Sequence, residues 1–83
     1  RHYLIYHVKG KEYRVRGVMR EVERELRLYG FSRCNNSFLV NMGRVEAVQD
    51  GMLLIEGYET GLPIGRTYKE TFLMEFTNYL GEV

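Results

Sequence analysis

Few residues in this sequence carry reactive or metal-binding side chains. The single cysteine, Cys34, could act as a nucleophile if His2 or His7 served as its general base. No sequence feature brings these residues together, and no glycine motif of an oxyanion hole follows Cys34. One cysteine and two histidines also lack the paired spacing of a zinc site. We therefore predict no catalytic residue, no metal site and no cofactor.

Two polar clusters have side chains suited to nucleic acid. The first lies in FSRCNNSFLVN, residues 31–41, where a polar stretch precedes an apolar strand. An asparagine amide can pair with adenine, an arginine with guanine, and a serine with phosphate. The second is IGRTYK, residues 64–69, where Arg66 precedes a helix whose free N–H groups favour anions. The first cluster could instead cap a turn, and Arg66 could pair with a glutamate, so residue chemistry leaves both interpretations open.

The composition is that of a small globular domain. The 83 residues are 45% hydrophobic and 28% charged, with a net charge of +1, which fits one domain with an ordinary core. Because the charge is nearly balanced, any surface that binds nucleic acid must be local. A single cysteine cannot form an internal disulfide, which is consistent with the reducing environment of the cytoplasm. The chain begins at Arg1 rather than methionine, so we expect a fragment of a longer protein that lacks an N-terminal strand.

The N-terminal half predicts a hairpin followed by a helix. Residues 2–8 and 12–16 are typical of two strands joined by a short turn. The first strand is apolar on both faces, which predicts a central position and a buried His7. Apolar residues at helical spacing then predict a helix over residues 17–29. Gly30 is placed to end that helix in the left-handed conformation.

The C-terminal half predicts further strands and a second helix. The expected strands are residues 37–41, 46–49, 52–56 and 60–64, and the helix spans 67–80. Asp50-Gly51 is a strong hairpin signal. Pro63 cannot donate a ladder hydrogen bond, which places its strand at an edge. The expected fold class is mainly β with two helices, a β-rich α+β domain whose short antiparallel strands form small packed sheets.

The order of these motifs resembles one known family. The segment GFSRCNNSFLVNMGRVEAV is similar to the central signature of the LytTR DNA-binding domain. The segment LPIGRTYKETFLMEF is similar to the later signature, which precedes the terminal helix of that family. The upstream strands and helix, from HYLIYHVKGKEYRVRG to LRLYGF, also follow the family order. The resemblance covers essentially the whole chain.

This resemblance implies a sequence-specific binder of double-stranded DNA that inserts loops, rather than a recognition helix, into successive major grooves. Such domains act as the cytoplasmic output of bacterial response regulators and related transcription factors in two-component signalling. The implied partners are DNA with repeated half-sites, a second copy on that DNA, and an upstream receiver or sensor domain. The resemblance implies no membrane contact by the domain itself.

The family contacts DNA from three places, and each can be carried over by position. The resemblance assigns base contacts to His2, then Asn35 and Asn36, then Arg66. It assigns phosphate contacts to a further set of residues: Arg1, Arg33, Ser37, Tyr68 and Lys69. This chain departs from the family pattern in two ways. Asn35 and Asn36 replace a histidine and a basic residue, which favours an amide that pairs with adenine, and Gly65 replaces a serine. We expect Asn41 to fasten a turn rather than to contact a base.

One alternative function uses the same surface. The two polar clusters, together with aromatic residues, could form a contact surface for another protein. Binding to DNA would then lack the steep salt dependence that follows from neutralising phosphates. The catalytic alternative requires Cys34 to be an ionised, reactive thiol.

Overall fold

The computed structural model describes residues 3–82, which form two helices and seven short strands. Within this range every strand pair is antiparallel, and the strands form two two-stranded sheets and one three-stranded sheet. The strands are β1 (Tyr3–Val8), β2 (Lys11–Arg16), β3 (Phe31–Arg33), β4 (Leu39–Asn41), β5 (Val45–Gln49), β6 (Met52–Ile55) and β7 (Tyr58–Pro63). The helices are α1 (Met19–Leu26) and α2 (Lys69–Glu82), with one-turn 3-10 helices at Arg27–Tyr29, Met42–Arg44 and Arg66–Tyr68. The predicted β-rich α+β fold class is confirmed.

The first hairpin forms as predicted but lies at the surface. Strand β1 pairs with β2 alone, around a turn in which Lys9 and Gly10 both have positive φ. The predicted central position of β1 is wrong, since Ile5 and Val8 are about half exposed. The predicted burial of His7 is also wrong: its ring is exposed and meets Tyr58 edge-on, with centroids 5.6 Å apart. An apolar sequence on both faces of a strand therefore does not establish that the strand is central in a sheet.

Helix α1 is shorter than the predicted helix. It ends at Leu26, and the chain continues through a 3-10 turn to Gly30, whose φ of 86° confirms the predicted left-handed end. Neither helix in the described range has the length and the apolar character needed to cross a bilayer.

Strand β3 is the element that the sequence did not predict. It has three residues and pairs with β4 from Phe31–Asn41 to Arg33–Leu39. Three residues of mixed polarity give no recognisable alternation, so nothing local distinguishes them from a loop. Ser32 in this strand is buried and donates a 2.5 Å hydrogen bond to a carboxylate oxygen of Glu75 in α2. This bond joins the second sheet to the C-terminal helix.

The three-stranded sheet has the order β5-β6-β7. Asp50 and Gly51 form the β5–β6 turn with φ of 53° and 76°, which confirms the predicted hairpin. Pro63 ends the edge strand β7, as predicted, and lies opposite Met52. Tyr58, at the other end of β7, lies opposite Ile55. The sheet therefore has one end near Pro63 and the other near Tyr58.

The core lies between this sheet, β4 and α2. Phe72, Leu53 and Cys34 are fully buried, and their burial removes the largest apolar surfaces from water. The other buried apolar residues are Val40, Met42 and Leu62. The phenyl rings of Phe72 and Phe76 stack at 5.8 Å along the inner face of α2. Both polar clusters are attached to this core. The first includes buried Cys34, and the second leads directly into α2.

Candidate functional site

The two polar clusters of the sequence lie side by side. We name residues 34–38, between β3 and β4, the central loop, and residues 64–68, between β7 and α2, the helix-entry loop. The amide N of Gly65 donates to the carbonyl O of Cys34 at 2.8 Å. A Cβ atom on Gly65 would lie 3.2 Å from the Cβ of Asn35, so the absence of a side chain allows this close approach. Together the two loops line a shallow, open depression.

Asn35 fastens the central loop. Its Nδ2 donates to the carbonyl O of Pro63 at 2.7 Å, and its Oδ1 accepts from the amide N atoms of Ser37 and Phe38 at 2.8 and 2.9 Å. Both lone pairs of the amide oxygen are therefore used within the chain. The amide of Asn35 is arranged to hold the two loops together.

Asn36 is exposed and its side chain is held by a neighbour. The hydroxyl of Tyr68 lies 3.0 Å from Asn36 Oδ1, and a guanidinium N of Arg33 donates to the Asn36 carbonyl O at 3.0 Å. The same guanidinium N lies 3.4 Å from the Tyr68 hydroxyl, and the guanidinium carbon lies 5.5 Å from the Tyr68 ring centroid. Asn36 thus stands at the end of an ordered chain of polar groups.

Arg33 is anchored by an acid on α1. Its guanidinium contacts Oε1 of Glu23 through two nitrogens, at 3.1 and 3.2 Å. Glu23 also contacts Arg27 at 3.5 Å. The Arg33 side chain is only 14% exposed and that of Glu23 20%, so solvent screens this pair less than it would a surface pair. The charge of Arg33 is balanced within the domain.

Two exposed cations lie in the helix-entry loop and directly after it. Arg66 and Lys69 are both exposed, and neither makes an ion pair or a side-chain hydrogen bond with any of residues 3–82. Ser37 is exposed on the central loop. The local excess of positive charge therefore lies beside the exposed polar groups of the depression.

Asn41 has the structural role that the sequence predicts. Its Oδ1 accepts a 2.9 Å hydrogen bond from the amide N of Gly43 and caps the 3-10 turn after β4. The turn is thus fastened by the side chain that precedes it.

Cys34 lies in the wrong environment for a nucleophile. Burial raises the pKa of its thiol from 9.0 to about 11, because the thiolate would lose its solvation, and a backbone hydrogen bond opposes this shift more weakly. Little thiolate therefore exists at neutral pH. No group of three or more metal-binding side chains occurs among residues 3–82 either.

We expect Cys34 to react slowly with a thiol reagent at pH 7 while the protein is folded, and rapidly in denaturant. The same burial gives a pH effect on stability. Between pH 9 and 11 the unfolded chain loses the thiol proton and the folded chain keeps it, so the free energy of unfolding falls as pH rises. Urea unfolding at pH 8 and pH 10 measures this fall, which should be larger in the wild type than in Cys34→Ala. Equally fast labelling of the folded and unfolded protein would show that the thiol is accessible and ionised.

The structure brings most of the predicted contact residues together. The central loop and its flanks contribute Arg33, Asn35, Asn36 and Ser37, and the helix-entry loop and the start of α2 contribute Arg66, Tyr68 and Lys69. The predicted contacts at Arg1 and His2 fall outside the described residues. Glu23, which reaches the site from α1, was not predicted from the sequence. Its position on the charged face of a helix gave no local signal of this contact.

Comparison with known proteins gave one match. The sequence matches the family described as LytTr DNA-binding domain over residues 1–76, which is most of the chain. The comparison with curated proteins gave no match, and the comparison with solved structures gave none either.

Proposed function

The chain belongs to the LytTr DNA-binding domain family, and on that premise we propose that it binds double-stranded DNA sequence-specifically as the output domain of a bacterial transcriptional regulator. The family is one of DNA-binding domains rather than of catalytic domains. The proposed setting is the cytoplasm, with an upstream receiver or sensor domain in the same chain. Binding requires no metal and no cofactor in this proposal.

The observation that carries the proposal is the pairing of the two loops. Hydrogen bonds between Gly65 and Cys34 and between Asn35 and Pro63 fix the central loop against the helix-entry loop. This arrangement places the exposed amide of Asn36 and the exposed guanidinium of Arg66 on the same depression. Rigid loops that present an amide and a guanidinium together are suited to the edges of bases in a major groove.

Four of the predicted residues receive roles in DNA binding from their exposure. We assign base contacts to Asn36 and Arg66, which are exposed and project from the paired loops. Lys69 and Ser37 are exposed beside them and are assigned to phosphates. The predicted contacts of Arg1 and His2 stay predictions.

Two of the predicted contact residues receive positioning roles. Asn35 uses its amide oxygen within the chain and fastens the central loop. Arg33 is largely buried and paired with Glu23. Both side chains therefore shape the surface that meets DNA, and neither is assigned a DNA contact of its own.

Affinity and specificity have separate sources in this proposal. With about three to five neutralised phosphates for each domain, the slope of log K against log salt should be about −3 to −5. A single small domain reads few base pairs, so two copies on repeated half-sites would supply usable specificity.

Selection from a pool of random duplexes at about 0.15 M salt tests the proposal. We expect recovery of a short motif that repeats at a spacing near one helical turn, and binding to that motif should have the salt slope given above. A folded sample that enriches no motif, or that binds DNA without salt dependence, would contradict the proposal. The alternative of a protein-interaction surface would then be preferred, with the central loop and the helix-entry loop as its contact surface.

A further inference from the structure

We propose that Tyr68 sets the base preference of Asn36 by fixing the orientation of its amide through a hydrogen bond to the amide oxygen. This inference rests on the proposed function and extends it. It makes Tyr68 a positioning residue that determines specificity rather than a phosphate contact.

The direction of the hydrogen bonds fixes the amide. A guanidinium has donors and no acceptor, so the contact at 3.4 Å between Arg33 and the Tyr68 oxygen uses that oxygen as an acceptor. The hydroxyl hydrogen is then available to Asn36, whose Oδ1 lies 3.0 Å away. The opposite amide orientation would bring a second donor to the phenol oxygen and leave the hydroxyl hydrogen without this acceptor. The chain of bonds therefore runs from Arg33 through Tyr68 to Asn36 Oδ1.

The start of this chain is fixed as well. Arg33 is held by Glu23 through two nitrogens and donates to the carbonyl O of Asn36. The backbone and the side chain of Asn36 are thus both held from one guanidinium. Such a pre-arranged side chain loses little conformational freedom when it meets a ligand.

The Nδ2 group of Asn36 has no partner among residues 3–82, and Oδ1, which accepts one bond from Tyr68, keeps a second lone pair. In the major groove guanine presents two acceptors, N7 and O6, whereas adenine presents the acceptor N7 beside the donor N6. An asparagine that pairs with both groups of adenine must accept from N6 with its amide oxygen. The fixed amide of Asn36 can offer both this acceptor and an N–H donor, so the arrangement favours adenine opposite Asn36.

The experiment compares base preferences of four proteins selected on the same duplex pool. Asn36→Ala identifies the position that Asn36 contacts, since only there should the base preference be lost. At that position we expect the wild type to favour adenine over guanine by about tenfold, within the range for one base contact. Tyr68→Phe keeps the ring that lies beside Arg33 and removes the hydroxyl, so this ratio should fall to about twofold or less. Tyr29→Phe, the same change at an exposed tyrosine, is the matched control and should keep the wild-type ratio.

A merely structural role for Tyr68 predicts a different result. Tyr68→Phe would then weaken binding to all bases equally and leave the tenfold ratio unchanged, which would overturn the inference. A wild-type preference for guanine at the Asn36 position would overturn it too, and so would an unchanged preference in Asn36→Ala. These outcomes leave DNA binding intact. A folded wild-type protein that enriches no motif would instead overturn the proposed function, and this inference with it.

Discussion

Replacing Arg66 by alanine should weaken binding to the selected DNA site by about 1–3 kcal/mol, or roughly 5- to 150-fold. Arg66 is exposed on the helix-entry loop, and its guanidinium makes no ion pair within residues 3–82. Its whole interaction with DNA would therefore be lost, with little change inside the domain. A titration of labelled duplex at fixed salt measures the loss. Repetition with a scrambled duplex separates base recognition from general attraction to phosphate, because only the first should discriminate between the two sequences.

The matched control is Arg44→Ala, which removes the same charge elsewhere. Arg44 is exposed and contacts Glu56 at 3.6 Å. Glu56 follows Ile55, at the end of the three-stranded sheet opposite to Pro63 and the paired loops. We expect this variant to bind the selected site within about twofold of the wild type, because its ion pair lies away from the paired loops. The fold should also be unaffected, since an exposed ion pair contributes little to stability. If Arg66→Ala bound as tightly as Arg44→Ala, Arg66 would have no place in the interface.

The largest loss of stability should follow Phe72→Ala. Phe72 is fully buried between α2 and the sheets, where its ring stacks on Phe76. Removal of a buried phenyl ring costs about 3–5 kcal/mol, through lost burial and the cavity that remains. A domain of this size has a total stability of about 4–12 kcal/mol, so much of it would be lost. Urea denaturation followed by circular dichroism measures the change, and DNA binding should fail at the temperature where the variant unfolds.

Met74→Ala on the same helix is the control for this prediction. Its side chain is 58% exposed, so we expect a change in the free energy of unfolding within about 0.5 kcal/mol. Similar urea midpoints for Phe72→Ala and Met74→Ala would mean that α2 does not cover the core in the way described above.

Features with a local cause could be predicted from the sequence. Gly30 ends its helical segment in the left-handed conformation, and Asp50-Gly51 forms a hairpin turn, because few other residues adopt a positive φ. Asn41 caps a turn with its own side chain. The edge position of Pro63 follows from its missing N–H group.

Features that depend on distant partners could not be predicted. Strand β3 has three residues, and it is a strand only because β4 lies beside it. The ion pair between Arg33 and Glu23 joins the site to α1. The fastening role of Asn35 depends on the carbonyl of Pro63, which lies 28 positions later in the chain. In each case the partner is distant in sequence or lies in another element, and no local pattern records it.

The division of the seven strands into three separate sheets has a consequence for how the domain fluctuates. The hairpin of β1 and β2 shares no ladder hydrogen bond with the other sheets, and its side chains are mostly exposed. Opening this hairpin therefore exposes less apolar surface than opening the core would, and it leaves Leu53 and Phe72 buried. Protection of amide hydrogens against exchange should accordingly be low in β1 and β2 and highest in β6. The paired loops join the strongly protected part of the domain, so their geometry should persist through openings that release the hairpin.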